Sequence, residues 1–277
     1  GVITNIGEAH LENFKGVSQI AKAKSEIIEN IETGGTIVLN RDDKFFNYLF
    51  KKAKTFKLKI LTFGTKKKSD IRLKKIIKDG NLSKIVITIS NQKLSLRVKD
   101  SNIFNILSSI LILKELGLNI LAIKNNFKHI EPSEGRGKKY SISRYKKKFK
   151  LIDESYNASP LSVKNAIQKL SMIKKENFKK FLILGDMLEL GSKSEKYHKD
   201  LSKVINNSDI DKVFIKGKKT IFTYKHLNKD KRGNILQSNE DIDLSLNEII
   251  SNNDYLMIKG SNATGLNDYS KKMIKGI

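Results

Sequence analysis

Short runs of aliphatic and β-branched residues alternate with longer amphipathic stretches in the first half of the chain. The runs predict strands over 2–6, 36–40 and 59–64, and an antiparallel group over 71–77, 84–90 and 93–98 with a tight turn at Asn91-Gln92. Helical spacing of apolar residues predicts helices over 18–32, 102–116 and 119–128. The first half therefore combines α and β elements.

The second half alternates more regularly between the two patterns. Apolar runs predict strands over 149–153, 180–185, 212–217 and 255–260, and helical patterns lie near 160–174, 195–206, 241–250 and 267–275. Strands that alternate with helices are typical of βαβ units, so we predict an α/β fold with a mainly parallel, doubly wound sheet. In such sheets ligands bind beyond the carboxyl ends of the strands. The polar residues that follow each strand are therefore the candidates for function.

The length of 277 residues fits two domains of ordinary size. The segment 131–137 reads EPSEGRG and contains one of only two prolines, which marks a junction. We predict one domain over 1–133 and a second over 134–277. No uncharged apolar run approaches the roughly eighteen residues of a transmembrane helix, so no membrane span is predicted.

The formal net charge of +25 raises the possibility of nucleic-acid binding. However, lysine supplies nearly all of the positive charge, since only six residues are arginine, the side chain that base readers and phosphate clamps favour. The lysines are also spread along the whole chain. We interpret the excess as compositional drift and expect no nucleic-acid partner. The absence of cysteine excludes disulfides and Cys-ligated metal sites.

One lysine lies on the apolar side of a predicted helix. Ile20, Ile27 and Ile28 recur at helical spacing, and Lys24 falls between them, whereas Lys22 falls on the polar side. A lysine on a buried face must find a partner, extend to solvent or lose its charge. The spacing leaves these alternatives open, and the last of them would make a neutral amine available for chemistry.

Polar clusters follow several predicted strands. After the first strand come Glu8, His10 and Glu12, a set that suits either a divalent cation or an ordinary solvated loop. Asn40 and Asp43 follow the next strand, where they either cap a helix or contact a nucleotide. The second half repeats the arrangement with Glu154, Tyr156 and Asn157, with Asp186 and Glu189, and with Lys259 and Ser261.

Taken together, these strings resemble the Mur ligase family. The similarity rests on NIGEAHLENF, AKAKSE, VLNRDD, EGRG, IDESYNASP, LGDMLELG and IKGS, in this order and spacing. SYNASP and GDMLELG are most similar to the members that add D-alanyl-D-alanine to UDP-N-acetylmuramoyl-tripeptide (UDP-MurNAc-tripeptide). The resemblance runs over nearly the whole chain.

The resemblance implies a three-domain enzyme. Residues 1–133 resemble the later part of a P-loop-type central ATPase domain, and residues 134–277 resemble a Rossmann-like C-terminal domain. The family's glycine-rich phosphate loop, GTxGKT, does not occur in this sequence, so we expect an N-terminally truncated fragment that is inactive alone. The implied reaction of peptidoglycan synthesis uses ATP and Mg²⁺. It forms an acyl phosphate on the peptide carboxylate, which the amine of D-alanyl-D-alanine attacks.

The resemblance also implies roles for individual residues. His10 and Lys24 match catalytic metal-site positions, and Lys24 would become a metal ligand if it were carbamylated. The positions that match nucleotide contacts are Asn40, Asp43, Arg136, Glu154, Tyr156 and Asn157. The positions that match substrate contacts are Asp186, Glu189, Lys259 and Ser261.

Two alternatives stay open beside this ligase. One is another ATP-dependent ligase of the superfamily, such as a folylpolyglutamate synthetase, against which SYNASP and GDMLELG argue. The other is a basic nucleic-acid-binding protein. For the preferred hypothesis we expect a monomer in the bacterial cytoplasm whose partners are UDP-MurNAc-tripeptide and D-alanyl-D-alanine.

Overall fold

The structure is a computed structural model that describes residues 1–8, 11–79, 82–99, 102–174 and 176–277. These residues form two compact units. Unit 1 comprises Gly1–Gly7 and Phe14–Pro132, and unit 2 comprises Glu8–Asn13 and Ser133–Ile277. The segment 8–13 thus packs with unit 2, which the sequence analysis did not anticipate.

Unit 1 is built on one six-stranded sheet. Its strands are β1 (Val2–Ile3), β2 (Thr36–Asn40), β3 (Lys59–Gly64), β4 (Ile71–Asp79), β5 (Leu82–Ile89) and β6 (Gln92–Lys99). They lie in sequence order across the sheet, parallel from β1 to β4 and antiparallel from β4 to β6. The helices are α1 (Val17–Glu29), α2 (Phe46–Thr55), α3 (Ile103–Glu115) and α4 (Ile120–Ile123). The predicted antiparallel group is therefore confirmed.

The turn between β5 and β6 differs from the prediction by one residue. Ile89 pairs with Gln92, so the two turn residues are Ser90 and Asn91 rather than Asn91 and Gln92. Both have left-handed backbone angles, with φ of 47° and 62°. Two-residue hairpin turns of this kind require positive φ at both positions, and Asn tolerates that conformation well.

The core of unit 1 forms where α3 covers the sheet. Phe63, Ile85 and Leu96 on the strands pack with Leu107 and Ile110 of the helix, and all five side chains are buried. The apolar face of α3 is thus the main contribution of the helices to this core.

The buried face of α1 differs from the predicted face, because Lys24 and Ile27 are exposed. Its buried residues are Ile20, Ala21, Ser25 and Ile28, whereas Ile27 is 41% exposed.

Unit 2 carries a second six-stranded sheet. Its strands are β7 (Lys138–Arg144), β8 (Lys147–Glu154), β9 (Lys180–Gly185), β10 (Lys212–Lys216), β11 (Arg232–Ile235) and β12 (Tyr255–Lys259). Their order is β11-β10-β9-β12-β8-β7, and only β7 runs antiparallel to its neighbour. The helices are α5 (Pro160–Ser171), α6 (Ser194–Asn206), α7 (Thr220–Lys225), α8 (Asn239–Ile249) and α9 (Leu266–Lys275). The predicted mainly parallel α/β sheet is confirmed.

The order of this sheet places its last strand in the middle. β12 lies between β9 and β8, so its three apolar residues from Leu256 to Ile258 are buried between two parallel neighbours. Strands buried on both faces read as continuous apolar runs. This explains why β9, β10 and β12 were predicted well from the sequence.

Local signals define where two helices of unit 2 begin. Ser159 caps α5 by accepting from the amide of Ser162, with Pro160 in the first turn, and Ser238 caps α8 by accepting from the amide of Asp241. Each pair forms a reciprocal capping box, which satisfies amides that the helix itself leaves free. The predicted helix entry through Ser159 and Pro160 is confirmed.

A polar cluster ties the β7–β8 hairpin to two helices. Asp243 of α8 accepts hydrogen bonds from the hydroxyls of Tyr145 and Tyr269 and lies 3.2 Å from the Arg144 guanidinium. Burial, reinforced by the Asp243 carboxylate, raises the pKa of Tyr145 to about 12. The two phenols therefore remain protonated donors, and the hairpin is fixed to α8 and α9.

Among the described residues, no helix has both the length and the apolar character that a bilayer crossing demands.

We expect Ile183→Ala to lower the free energy of unfolding by about 3 kcal/mol. Ile183 is fully buried in β9 and pairs with strands on both sides, so its truncation leaves a cavity. Leu161→Ala, at an exposed position of α5, is the control and should change stability by less than about 0.5 kcal/mol. Urea denaturation of both variants measures the difference. Equal losses would contradict this account of the core.

Candidate functional site

Two of the predicted nucleotide-contacting residues hold the segment that follows β1. Asn40 Nδ2 donates to the carbonyl of Thr4 at 3.0 Å, and Asp43 Oδ2 accepts from the amide of Ile6 at 2.7 Å. Asp43 Oδ1 also accepts from the amide of Phe45 at 2.8 Å, at the start of α2. Both side chains are thus engaged with backbone, and their contact with a nucleotide remains a prediction.

Lys24 reaches the same segment from α1. Its Nζ donates to the carbonyl of Asn5 at 3.1 Å, and the residue is exposed. Of the three alternatives for this lysine, the structure thus agrees with extension to solvent. Ser25 takes a buried position on α1 beside Ile20 and Ile28. The ammonium of Lys24 keeps a backbone acceptor and water, so it avoids the desolvation penalty of a buried charge.

The predicted metal site receives no support from the described part of the chain. His10 lies outside the described residues. Within the described ranges, no three His, Asp or Glu side chains are grouped so that they could hold a metal ion. The roles of His10 and Lys24 at a metal therefore stay predictions.

In unit 2 the predicted residues gather at the carboxyl ends of three neighbouring strands. They either end β8 or β12 or lie in the loops after β8, β9 and β12, and they comprise Glu154, Tyr156, Asn157, Asp186, Glu189, Lys259 and Ser261. A cavity of about 350 Å³ opens beside them, and Tyr156, Asn157, Glu189 and Ser261 contribute to its lining together with Glu8. This is the edge where parallel sheets bind ligands.

Lys259 is a buried cationic residue of this site. The residue is only 2% exposed, and its Nζ donates to the carbonyls of Glu154, at 3.3 Å, and of Asn157. The Glu154 carboxylate lies 3.5 Å from the same nitrogen. Burial lowers the pKa of Lys259, and the carboxylate opposes this shift. These partners lie at the end of β8 and in the loop that follows it, so Lys259 supports the path of that loop, and its contact with substrate stays a prediction.

The EGRG segment wraps around the end of β8. The amide of Gly135 donates to the buried carboxylate of Asp153 at 2.8 Å, and the amide of Gly137 donates to its carbonyl at 2.7 Å. Both glycines have positive φ, of 70° and 97°. A Cβ at Gly137 would also lie 2.9 Å from Glu154 Oε1, but it is the positive φ, which residues with a side chain rarely adopt, that favours glycine here.

This wrapping brings Arg136 onto Tyr156. The guanidinium carbon lies 4.6 Å from the ring centroid, within the range of a cation–π contact, and both residues are exposed. The predicted nucleotide-binding residues Arg136, Glu154 and Tyr156 are therefore neighbours. Asn157 follows them, with its side-chain oxygen accepting from the amide of Ala158 at 2.7 Å.

Asp186 has a structural role that the sequence analysis did not predict. Its Oδ1 accepts from the amides of Lys219, at 3.0 Å, and Thr220, at 2.8 Å, where α7 begins. Gly217 passes so close that a Cβ there would lie 2.3 Å from the same oxygen. The carboxylate caps a helix, and its direct contact with substrate stays a prediction.

Ser261 and Glu189 join the loops after β12 and β9. Ser261 Oγ accepts from the amide of Leu188 at 3.0 Å, and its own amide donates to the carbonyl of Asp186 at 3.0 Å. Glu189 is exposed with a left-handed φ of 60°, and its carbonyl accepts from the amide of Glu12 at 2.9 Å. Of the four predicted substrate residues, Glu189 and Ser261 line the cavity.

Two domain profiles of one family match most of the chain. The Mur ligase middle domain matches residues 1–113, and the Mur ligase glutamate ligase domain matches residues 141–262. The chain belongs to the Mur ligase family.

Curated relatives match this Mur ligase chain over nearly its whole length. The UDP-N-acetylmuramoyl-tripeptide–D-alanyl-D-alanine ligase of Bacillus subtilis is 29% identical over 99% of the chain, and that of Rickettsia prowazekii is 28% identical over 96%. In both cases the match spans 59% of the relative's own length. The chain thus covers about three fifths of these enzymes.

Solved structures show the same Mur ligase fold. MurF from Acinetobacter baumannii superposes with a TM-score of 0.82 at 22% identity, covering 99% of the chain and 59% of that structure. A MurF ligase from Thermotoga maritima in complex with ADP gives 0.81 at 22% identity, covering 99% and 61%. A folylpolyglutamate synthetase (FPGS) of L. casei gives 0.65 at 15% identity, covering 98% and 60%. The predicted fold class is confirmed.

Sequence analysis missed two side chains that shape the site of this Mur ligase. Asp153 is 1% exposed and accepts from Gly135 and Ser155, and His198 of α6 is fully buried behind the loop after β9. The adjacent carboxylates in LIDES were a signal for Asp153. Its helical spacing with Leu201 and Ile205 was a signal that His198 is buried, but its partner lies eleven residues away and had no signal in the sequence.

We expect Lys259→Met to lower the free energy of unfolding by about 3 kcal/mol, because it leaves the Glu154 carboxylate and two carbonyls without their shared donor. Lys271→Met, at an exposed position of α9, is the matched control. Denaturant titration followed by circular dichroism compares the two. A Lys259→Met loss no larger than that of the control would show that the buried ammonium does not support the loop.

Proposed function

We propose that the protein containing this chain joins D-alanyl-D-alanine to UDP-MurNAc-tripeptide in an ATP-dependent step of peptidoglycan synthesis. The observation that carries the proposal is the alignment of 99% of the chain with a curated ligase of that name. The strand-end cavity of unit 2, lined by residues of SYNASP and GDMLELG, agrees with it.

The proposed reaction forms one amide bond. The terminal carboxylate of the peptide takes the γ-phosphoryl group of ATP, the amine of D-alanyl-D-alanine attacks the acyl carbon, and phosphate leaves. Phosphoryl transfer of this kind depends on alignment and neutralisation of charge more than on covalent catalysis by the protein. The contribution of this chain is therefore cationic and hydrogen-bonding groups in fixed positions.

The residues beside β8 suit a nucleotide. Tyr156 presents an exposed ring, and Arg136 stacks on it with an exposed guanidinium whose planar fork matches phosphate oxygens. Glu154 is held nearby by Lys259 and offers carboxylate oxygens to ribose hydroxyls. We assign Arg136, Glu154, Tyr156 and Asn157 to ATP, and we extend the assignment to Asn40 and Asp43 of unit 1.

Mg²⁺ would supply charge neutralisation for the triphosphate. An ammonium cannot bind a cation, so Lys24 suits a metal only as a carbamate, formed when its neutral amine adds carbon dioxide and releases a proton. The exposure of Lys24 leaves it accessible to that reaction. We propose this role for Lys24, with His10 as a second ligand.

We assign Asp186, Glu189, Lys259 and Ser261 to the peptide and dipeptide side of the site. Glu189 and Ser261 would contact the substrate, whereas Asp186 and Lys259 would act through the loops that they hold. We further propose a monomer in the bacterial cytoplasm, where nucleotide-linked precursors and ATP are available.

The alternatives have less support. Folylpolyglutamate synthetases share the fold with lower TM-scores, 0.64 to 0.68, than the MurF structures. Nucleic-acid binding rests only on the net charge.

The test is a ligase assay on the product of the full coding sequence that contains this chain. With ATP, Mg²⁺, UDP-MurNAc-tripeptide and D-alanyl-D-alanine, we expect ADP, phosphate and a UDP-linked pentapeptide, detected by mass spectrometry. Omitting either peptide substrate should abolish ADP release. Turnover with a folate and glutamate, but not with these substrates, would favour the folylpolyglutamate synthetase alternative.

We expect Lys24→Ala to lower kcat in that assay by at least about 100-fold without changing the melting temperature, because the side chain is exposed and alanine offers neither charge nor ligand. Lys22→Ala, at an exposed position of the same helix, should retain normal turnover. Comparable activity of the two variants would remove Lys24 from the catalytic site.

A further inference from the structure

The loop Asp186–Leu190 forms one wall of the cavity in unit 2. Leu188, Glu189 and Leu190 all line the cavity. Glu189 has a left-handed φ of 60°, an unfavourable conformation for a residue with a side chain. Such a conformation persists only where surrounding contacts hold it, so the shape of this wall depends on what binds its backbone.

One of those contacts is a histidine. His198 of α6 is fully buried, and its Nε2 lies 3.0 Å from the backbone nitrogen of Met187. Because an amide N–H can only donate, Nε2 must be the acceptor. Nδ1 lies 2.8 Å from the carbonyl oxygen of Ser194, which can only accept, so Nδ1 carries the hydrogen. The two contacts require a neutral ring with one tautomer.

The surroundings of the ring favour that neutral state. Burial lowers the pKa of His198, and Lys219 adds to the effect, whereas the Ser194 carbonyl and the Asp186 carboxylate oppose it. A second proton would place an N–H of the ring against the N–H of Met187. Two facing donors in a buried site leave both unsatisfied, so protonation would break the contact.

We propose that His198 is a positioning residue whose unprotonated Nε2 holds Met187 and thereby fixes the Leu188–Leu190 wall of the cavity. As a role in substrate binding, this rests on the proposed function, in which that wall faces the incoming dipeptide. His198 does not line the cavity. It acts on the wall through the backbone of Met187. Acidification below the range of an ordinary histidine would release the wall.

The structural part of the test is nuclear magnetic resonance on this chain. Long-range ¹H–¹⁵N correlation of His198 should show the Nδ1–H tautomer at neutral pH. Hydrogen exchange of the Met187 amide should be at least about tenfold faster in His198→Asn, which keeps a donor near Ser194 but does not reach Met187. His198→Gln, whose carbonyl oxygen replaces Nε2, should restore protection. An Nε2–H tautomer, or equal exchange in all three proteins, would overturn the proposal.

The functional part compares wild type and His198→Gln in the full enzyme from about pH 8 to about pH 5.5. Because the amine of D-alanyl-D-alanine itself titrates at about pH 8 in both proteins, the readout is the ratio of the wild-type KM to the KM of His198→Gln. This ratio should rise as the pH falls below about 6.5, with a smaller change in the ratio of the kcat values. A constant KM ratio despite the expected tautomer would refute the positioning role. A complete lack of ligase activity would instead refute the proposed function, and the tautomer and exchange data would still decide the contact.

Thermal stability provides an independent check of the direction in which the pKa of His198 is shifted. The unfolded chain has an ordinary histidine pKa of 6.5, above that of folded His198, so it binds the proton first as the pH falls. The contribution of the neutral His198 ring to the free energy of unfolding is therefore complete above about pH 6.5 and is lost as the pH falls below that value. The melting temperature of the wild type should fall relative to His198→Gln in that range. A constant difference between the two would contradict a buried neutral ring.

Discussion

The site of unit 2 depends on a lysine that has almost no contact with water. An ammonium in such a place is tolerated only if acceptors surround it, and here the carbonyls of Glu154 and Asn157 and the carboxylate of Glu154 do so. Glu154 ends β8 and Asn157 lies in the loop that follows it, while Lys259 ends the neighbouring strand β12. The satisfaction of one charge therefore fixes the path of the backbone on which Tyr156 and Asn157 are carried. Replacement of Lys259 and Glu154 by apolar residues would keep the site buried, but it would remove the contacts that fix the path of the loop after β8.

The loop after β9 follows a different principle, because successive residues are anchored to separate elements. Asp186 caps α7, Met187 donates to His198, Leu188 donates to Ser261, and Glu189 accepts from Glu12. Three of these four bonds use backbone groups of the loop, and the exposed residue Glu189 lines the cavity. A backbone that is anchored at several points suits a binding site on a loop. The GDMLELG motif therefore contains two kinds of residue. Asp186 and Met187 anchor the loop, whereas Glu189 lines the cavity.

The sequence predicted elements correctly where a buried segment also has a clear apolar pattern. It did not predict the burial of side chains whose environment is set by residues distant in the sequence. The strands 36–40, 59–64 and 180–185 were predicted to the residue, since each is a compact apolar run. The edge strands β7 and β11 were missed, because KKYSISR and RGNI contain few apolar residues. For the candidate site, the position of polar residues after strands was sufficient to predict that they gather at one edge of the sheet. It was not sufficient to find that Lys259 and Asp186 are buried while Lys24 is exposed, because those states depend on acceptors supplied by distant segments.

The position of β12 has a consequence for how the protein is made. This strand leaves the ribosome after β7 to β11, yet it occupies the space between β8 and β9 and carries Lys259. Until it is synthesised, β8 and β9 lack the neighbour that joins them, and the loop that bears Tyr156 lacks its buried cation. The nascent chain therefore exposes two apolar strand edges for the time that translation takes from residue 186 to residue 259. Assembly of the cavity is accordingly a late event that no shorter product of translation could complete.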